Sequence, residues 1–299
     1  MWAIFGLVSA LFLGIYDTFR KRVLRDSPVI PVLFLASLTA GLLFLPPIIL
    51  SSAGWIDSGS LLYIPAMSRE LHLLVVLKSV ILGASWFLAY SALSNLPITI
   101  VAPIRSTAPM WTLIGAIYIF GEKFTFLQWI GIITVLGFFY YFALAGRREG
   151  ISFLQNKWIF AAMGATLIGA VSGLYDKFLF ARYDRIAVQA WYMVYISILL
   201  FPFFLYYWFI RRKKSGSFHW TPHIHLIGIL LVVSDFLYFF ALSKTGSLIA
   251  VLSIIRRSSV IISFISGAIF FGERNLKRKG LALLGILLGV ILLVLGSAQ

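Results

Sequence analysis

Gly14-Ile15-Tyr16-Asp17-Thr18-Phe19 returns 159 residues later as Gly173-Leu174-Tyr175-Asp176-Lys177-Phe178. Phe87-Leu88-Ala89-Tyr90-Ser91-Ala92-Leu93-Ser94 returns at an offset of 149 as Phe236-Leu237-Tyr238-Phe239-Phe240-Ala241-Leu242-Ser243. Ile104-Arg105 returns as Ile255-Arg256, and Phe120-Gly121-Glu122-Lys123 as Phe271-Gly272-Glu273-Arg274, both at 151. Apolar words recur by chance, so one match decides nothing. Four matches in the same order predict two repeated halves, residues 1–150 and 151–299.

The chain around these words is unusually apolar. Hydrophobic residues make up 61% of its 299 positions and charged residues 12%, against about 45–50% and about 25% in globular domains. That composition excludes an ordinary soluble enzyme and a disordered chain. The absence of cysteine excludes a disulfide scaffold, a zinc–thiolate site and a cysteine nucleophile. Ten apolar runs approach the ~20 residues a helix needs to cross a bilayer: 2–24, 30–50, 71–93, 98–120, 125–145, 157–180, 187–210, 223–243, 247–271 and 276–296. Stretches such as Leu281 to Leu295 do not alternate apolar and polar residues, which excludes barrel strands. The first run lacks a charged leader and is followed by Arg20, Lys21, Arg22 and Arg25, so it is expected to be a retained helix and not a signal peptide. The fold expected is an all-α integral membrane protein of ten transmembrane helices.

Five helices per half is an odd number, so the second half is expected to lie inverted in the membrane. Two inverted five-helix repeats are a common layout of secondary transporters, with the substrate site near the midplane between them. With its paired turns Gly121-Glu122-Lys123 and Gly272-Glu273-Arg274, the chain resembles ten-helix EamA-type members of the drug/metabolite transporter superfamily over essentially its whole length. That resemblance implies transport of amino acids, drugs, sugars, nucleotide sugars or sugar phosphates. In the sugar-phosphate and nucleotide-sugar branches, basic residues on the fourth and ninth helices contact the anionic substrate. Here Arg105 lies on the fourth run and Arg256-Arg257 on the ninth.

The net charge is +15, which in a soluble protein would suggest nucleic acid. In this chain fifteen of the 25 basic residues fall in loops on one side of the ten-run layout, among them Arg147, Arg148, Lys213, Lys214, Lys277 and Lys279. Only five fall on the other side, and Lys78, Arg105, Lys177, Arg256 and Arg257 fall inside runs. The positive-inside rule places the rich side in the cytoplasm and both termini outside. The family resemblance implies the opposite, with both termini cytoplasmic. Membrane lipid replaces nucleic acid as the expected partner of the positive charge, in a cell membrane such as a bacterial inner membrane.

An ionisable group at membrane depth costs at least ~2.5–3.5 kcal/mol and needs a partner, water or a function. Three carboxylates (Asp17, Asp176, Asp235) face three guanidiniums (Arg105, Arg256, Arg257). Counted at ~1.5 Å per residue, Asp17 and Arg105 lie roughly 10 Å deep from one side. Asp235 and Arg256 lie roughly 12–14 Å from the other side, with Asp176 shallower. One reading is a polar substrate cavity in which Arg256 and Arg105 hold a phosphate or carboxylate through paired hydrogen bonds. Asp235 would balance them or bind an amine, and Asp235, Asp17 or Asp176 would carry a coupling proton. The other reading is internal salt bridges that fix packing, with Asp17, Arg20 and Lys21 forming a helix-end group that snorkels to the interface. Adjacent Arg256 and Arg257 point ~100° apart, so only one squarely faces a narrow site.

Tyr238, Trp86, Tyr16 and Tyr175 are candidates to shape a pocket. Pro97, Pro103 and Pro109 remove backbone donors and predict a bent helix beside Arg105. Gly169-x3-Gly173 and Gly285-x3-Gly289 predict close helix contact. His219, His223 and His225 cluster without an acidic ligand, so no metal is expected. No Ser/His/Asp set, phosphate loop or dinucleotide fingerprint occurs, so neither catalysis nor a cofactor is expected. The sequence thus predicts an alternating-access transporter of a small acidic metabolite, working as a monomer or homodimer. The alternatives are an exporter of amino acids or drug-like amphiphiles, then a lipid flippase or membrane enzyme.

Overall fold

The structure is a computed structural model that describes residues 2–120, 125–147, 155–180, 182–212, 218–243, 256, 258–272 and 275–296. Among them lie eleven α-helices and no strand. They are α1 (Trp2–Asp26), α2 (Val29–Ser52), α3 (Arg69–Asn95), α4 (Ile98–Ser106), α5 (Ala108–Phe120) and α6 (Phe126–Arg147). There follow α7 (Lys157–Phe180), α8 (Arg185–Tyr206), α9 (His223–Ser243), α10 (Ser259–Phe270) and α11 (Leu276–Gly296). A π-helical turn, Tyr207–Arg211, continues α8.

The helix starts follow from local chemistry. Ser68 accepts from Leu71 N at 3.2 Å, and Asp184 accepts from Ile186 N and Ala187 N, each at 2.9 Å. Thr125 and Gln128 form a reciprocal box: Gln128 N donates to Thr125 Oγ1 and Thr125 N donates to Gln128 Oε1. Each of these satisfies amides that the first turn leaves without an intrahelical acceptor. Gly272, at φ +59°, stops the chain just after α10 in the left-handed region that glycine enters without steric cost.

Every predicted apolar run contains helix, but the run 98–120 is two helices. Pro103 and Pro109 lack the N–H groups that would bond the carbonyls of Thr99 and Arg105. The chain breaks between them at Thr107, whose hydroxyl donates to Ile104 O at 2.7 Å and accepts from Trp111 Nε1 at 3.1 Å. Five segments are long and apolar enough to cross a bilayer by length and composition: Val29–Ser52, Arg69–Asn95, Lys157–Phe180, Arg185–Arg211 and His223–Ala241. Several of these plainly make a multi-pass membrane protein.

The helix pairing is unchanged when the halves are exchanged. α2 packs on α8, α4 on α10 and α6 on α11, each against its repeat counterpart. α1 packs on α9 as α7 does on α3, and α1 on α10 as α7 does on α4 and α5. Repeat-related hydrogen bonds accompany this. Ser234 Oγ of α9 donates to Ser9 O of α1 at 2.9 Å, and Ser85 Oγ of α3 donates to Ala165 O of α7 at 2.8 Å. Ser85 and Ser234 stand 149 residues apart, the offset of the repeat words that begin two residues later.

Small residues make the close crossings. A Cβ on Gly14 would sit 2.5 Å from Ile262 Cβ, and one on Gly285 would sit 2.1 Å from the Phe138 ring. Gly285 and Gly289 therefore serve contact within the fold, between α11 and α6. The Gly169–Gly173 face does not: a Cβ at Gly173 would meet nothing within 4 Å.

Candidate functional site

The crossing of α1, α3, α7 and α9 leaves a cavity of about 330 Å³, bordered also by Arg105, Ala108, Tyr192 and Arg256. Two charged clusters meet its wall. The first centres on Asp17, which is 2% exposed. Its Oδ1 accepts from Arg20 Nη2 at 2.8 Å and its Oδ2 accepts from Arg105 Nη1 at 2.6 Å. Ser263 Oγ of α10 donates to the same Oδ2 at 3.3 Å. Arg20 Nη1 donates to the Tyr16 hydroxyl at 3.2 Å, and its guanidinium lies 4.9 Å from the Tyr16 ring and 4.8 Å from the Tyr90 ring. The Tyr16 and Tyr90 hydroxyls are 3.2 Å apart.

The second cluster joins α3, α7, α8, α9 and Arg256. Lys78 pairs with Asp176 and Arg256 pairs with Asp235. The Tyr192 hydroxyl donates to Asp235 Oδ2 at 3.1 Å, and Tyr192 offers its ring to Lys78 Nζ at 4.8 Å. The Arg256 guanidinium covers the Tyr238 ring at 4.2 Å. Arg256 Nη1 is buried and has no hydrogen-bond partner among the described residues.

The sequence-derived pairs Asp17–Arg105 and Asp235–Arg256 are thus in contact. Arg256, Arg105, Asp235, Tyr238, Trp86, Tyr16 and Asp176 border the cavity. Asp17 stands behind that wall and holds Arg105. Tyr175 is not on the wall: its hydroxyl donates to Leu74 O at 3.2 Å and its ring stacks on Phe178. Arg257 lies outside the described residues, as do Glu122 and Glu273 of the paired turns.

The snorkelling group expected at the end of α1 does not form. Arg20 is 2% exposed, because α1 runs on to Asp26 and the Tyr16 and Tyr90 rings receive the guanidinium in the interior. Lys21 turns to the end of α3 and donates to Leu93 O and Leu96 O at 2.7 and 2.6 Å, which is where a helix concentrates negative potential. Sequence reasoning also missed Lys78 as the partner of Asp176. The signal was present, since Lys78 is a cation inside an apolar run and demands a partner as any such group does. Tyr192 gave no comparable signal among 13 tyrosines. Lys279, counted as a loop residue, is buried on α11 and donates to Thr99 Oγ1 at 3.1 Å.

The first cluster has chemical consequences for ligands. It holds two guanidiniums against one carboxylate, whereas the second holds two cations against two carboxylates. Asp17 keeps Arg20 and Ser263 if Arg105 swings away, so Arg105 can leave without stranding a charge. Among the described ion pairs, the Arg105 side chain is also the most exposed, at 28%. Among the described residues no group of three or more His, Asp or Glu could hold a metal ion. His225, from the histidine cluster, is occupied by Thr39 Oγ1 and Trp220 Nε1.

No curated protein matches this chain in sequence. A crystal structure described only as that of a protein superposes on it with a TM-score of 0.60 at 13% identity, covering 98% of this chain and 97% of that one. The model of the EamA-like transporter family matches both halves, residues 1–143 and 156–295. By that match, over nearly its whole length, the chain belongs to the EamA-like transporter family.

Proposed function

We propose that this membrane transporter is a secondary carrier of a small organic metabolite bearing a phosphate or carboxylate, and that it works by alternating access. The single observation that carries this reading is the charge imbalance around Asp17, where Arg20 and Arg105 share one carboxylate and one positive charge is left over beside the cavity. A planar guanidinium binds phosphate and carboxylate oxygens through two parallel hydrogen bonds. Arg256 borders the same cavity and supplies a second guanidinium there. Asp235 keeps Arg256 neutralised while the site is empty. The α4–α5 break beside Arg105 is the place where the wall would bend as the ten spans of the two halves rock.

The test is thermal stabilisation of the detergent-purified protein by inorganic phosphate, sugar phosphates, amino acids and cations. A ligand at 100-fold its Kd adds about 2.7 kcal/mol, which raises the melting temperature by several degrees. Anions are expected to stabilise the natural protein and to lose that effect in Arg105→Ala. Equal stabilisation of both proteins, or stabilisation by cations alone, overturns the assignment.

One observation favours a second reading, an amino-acid carrier. The Asp176 side chain is 25% exposed, more than Asp17 or Asp235, so a substrate ammonium would reach it from the cavity in competition with Lys78. In that case Asp176→Asn weakens amino-acid binding and leaves phosphate binding unchanged.

A further inference from the structure

Halves that rock around a central cavity part at one face while they close at the other. Side-chain contacts locate both partings. α3 and α7 run antiparallel: Ser85 Oγ donates to Ala165 O, and nearer the start of α3 Lys78 pairs with Asp176 and the Tyr175 hydroxyl donates to Leu74 O. α1 and α9 are also antiparallel, from Ser9 beside Ser234 to Phe19 stacked on His223. Near the end of α3, Ser94 Oγ donates to Leu24 O near the end of α1 at 3.2 Å. The end of α1 and the start of α3 therefore lie at opposite faces. The α1–α9 crossing runs out to the face rich in basic loop residues, and the α3–α7 crossing runs out to the sparse one.

These crossings are repeat counterparts, but their chemistry differs. Among the described ion pairs, Arg20–Asp17 and Arg105–Asp17 stay within the first half and Arg256–Asp235 within the second. Lys78–Asp176 joins the halves, and both its members border the cavity. Close by, the Tyr195 hydroxyl lies 2.7 Å from His72 Nδ1, so the start of α3 is tied to α7 and α8 by polar contacts. The residue 149 positions after Lys78 is Ile227, which is fully buried. At the α1–α9 crossing an apolar side chain thus stands where the other crossing has its cation. Parting an ion pair at membrane depth strands two charges. Parting the crossing at Ile227 gives up packing and strands none.

We propose that Lys78–Asp176 is a latch between the halves. It holds the α3–α7 crossing shut at the sparse face, so the ligand-free cavity opens toward the basic face. Lys78 is then a positioning residue: it sets which face the empty carrier presents, through Asp176. The latch rests on the alternating-access reading above and not on the choice of ligand.

The chain has no cysteine, so a single introduced cysteine reports access without background. Gly173 borders the cavity one helical turn below Asp176, and a Cβ there meets open space, so Gly173→Cys is the reporter. Arg25→Cys and Glu70→Cys, at exposed positions near the end of α1 and the start of α3, mark the basic and the sparse face. They show which face right-side-out and inside-out membrane vesicles present to a membrane-impermeant maleimide. Lys78→Met with Asp176→Leu removes the latch without stranding a charge, which keeps the fold. With the natural pair, Gly173→Cys is expected to react from the basic face. Without the pair, its reaction from the sparse face rises about tenfold, the population shift that one charge-assisted hydrogen bond supports, and its reaction from the basic face falls. Lys78→Met alone shifts access the same way, with a lower melting temperature because Asp176 is stranded. No rise at the sparse face overturns the latch alone. An equal rise at both faces shows that the pair merely holds the bundle together, and also overturns it. A rise at the sparse face with no change at the basic face overturns the alternating-access reading itself. No ligand is added, so the outcome is independent of the Arg105 assignment.

Discussion

Asp17 is the most heavily shared carboxylate among the described residues. Arg20, Arg105 and Ser263 all donate to it, so its removal leaves two guanidiniums in the interior with one stacked between tyrosines. Breaking a buried ion pair from one side costs about 3–5 kcal/mol. Asp17→Ala is therefore expected to lower the melting temperature steeply. Arg105→Ala is expected to be mild, since Arg20 still satisfies the carboxylate. Parallel melting curves of the two variants in detergent check this ordering, and equal losses would contradict the shared-carboxylate arrangement. The sequence singled out Asp17, Asp235, Arg105 and Arg256 correctly as charges needing partners. It misplaced Arg20: the run was taken to end at residue 24, whereas the helix continues to Asp26 and the Tyr16 and Tyr90 rings receive the guanidinium in the interior.

At the scale of elements, the α4–α5 break is where sequence and structure differ most usefully. Three prolines predicted a bend beside Arg105, and the chain does more than bend: two helices meet at Thr107. Pro109→Ala would restore a donor toward the Arg105 carbonyl and extend helix through the break. Phosphate affinity is expected to persist while transport into proteoliposomes slows, measured with labelled glucose 6-phosphate. Loss of affinity with unchanged transport per bound ligand would sink the hinge reading. Gly285→Leu belongs to the same scale with the opposite outcome. Its side chain would enter the Phe138 ring, and overpacking of a close crossing costs at least ~1–3 kcal/mol. Poor recovery of folded protein in size-exclusion chromatography is expected, in contrast to Gly173→Leu. The two Gly-x3-Gly words look alike in sequence, yet one packs against a helix and the other faces a cavity.

For the whole molecule, the helix pairing is symmetric under exchange of halves, but the charge pairing is not. Asp17 and Asp176 are repeat counterparts, as are Arg105 and Arg256. Asp17 takes Arg105, whereas Asp176 takes Lys78 and Arg256 takes Asp235. The counterpart of Asp235 at the 149-residue offset is Trp86, so a carboxylate in one half is balanced against an aromatic ring in the other. This makes the cavity cationic toward Arg105 and neutral toward Arg256, which is the asymmetry a bipolar ligand would read. Orientation is testable at this scale too. The bias of basic loop residues predicts both termini outside, so a C-terminal green fluorescent protein fusion is expected to stay dark; a fluorescent fusion would reverse the assignment.

Several properties were determined by the sequence alone. Its apolar content requires a membrane, since there are too few charges to cover a soluble surface. The four ordered repeat words make the two halves legible. The rarity of charge at depth marks the residues worth attention, because each one carries a cost that must be met. Which of them meet was decided only by the tertiary structure. Position along a helix sets depth, and depth brought Asp17 level with Arg105 and Asp235 level with Arg256. It does not set azimuth, and helices that are apolar on all sides carry no amphipathic stripe to show which face turns inward. Lys78 therefore found Asp176, Arg20 turned into the interior, and Gly173 opened onto a cavity through the packing of α1, α3, α7 and α9, contacts that no periodicity along one helix encodes.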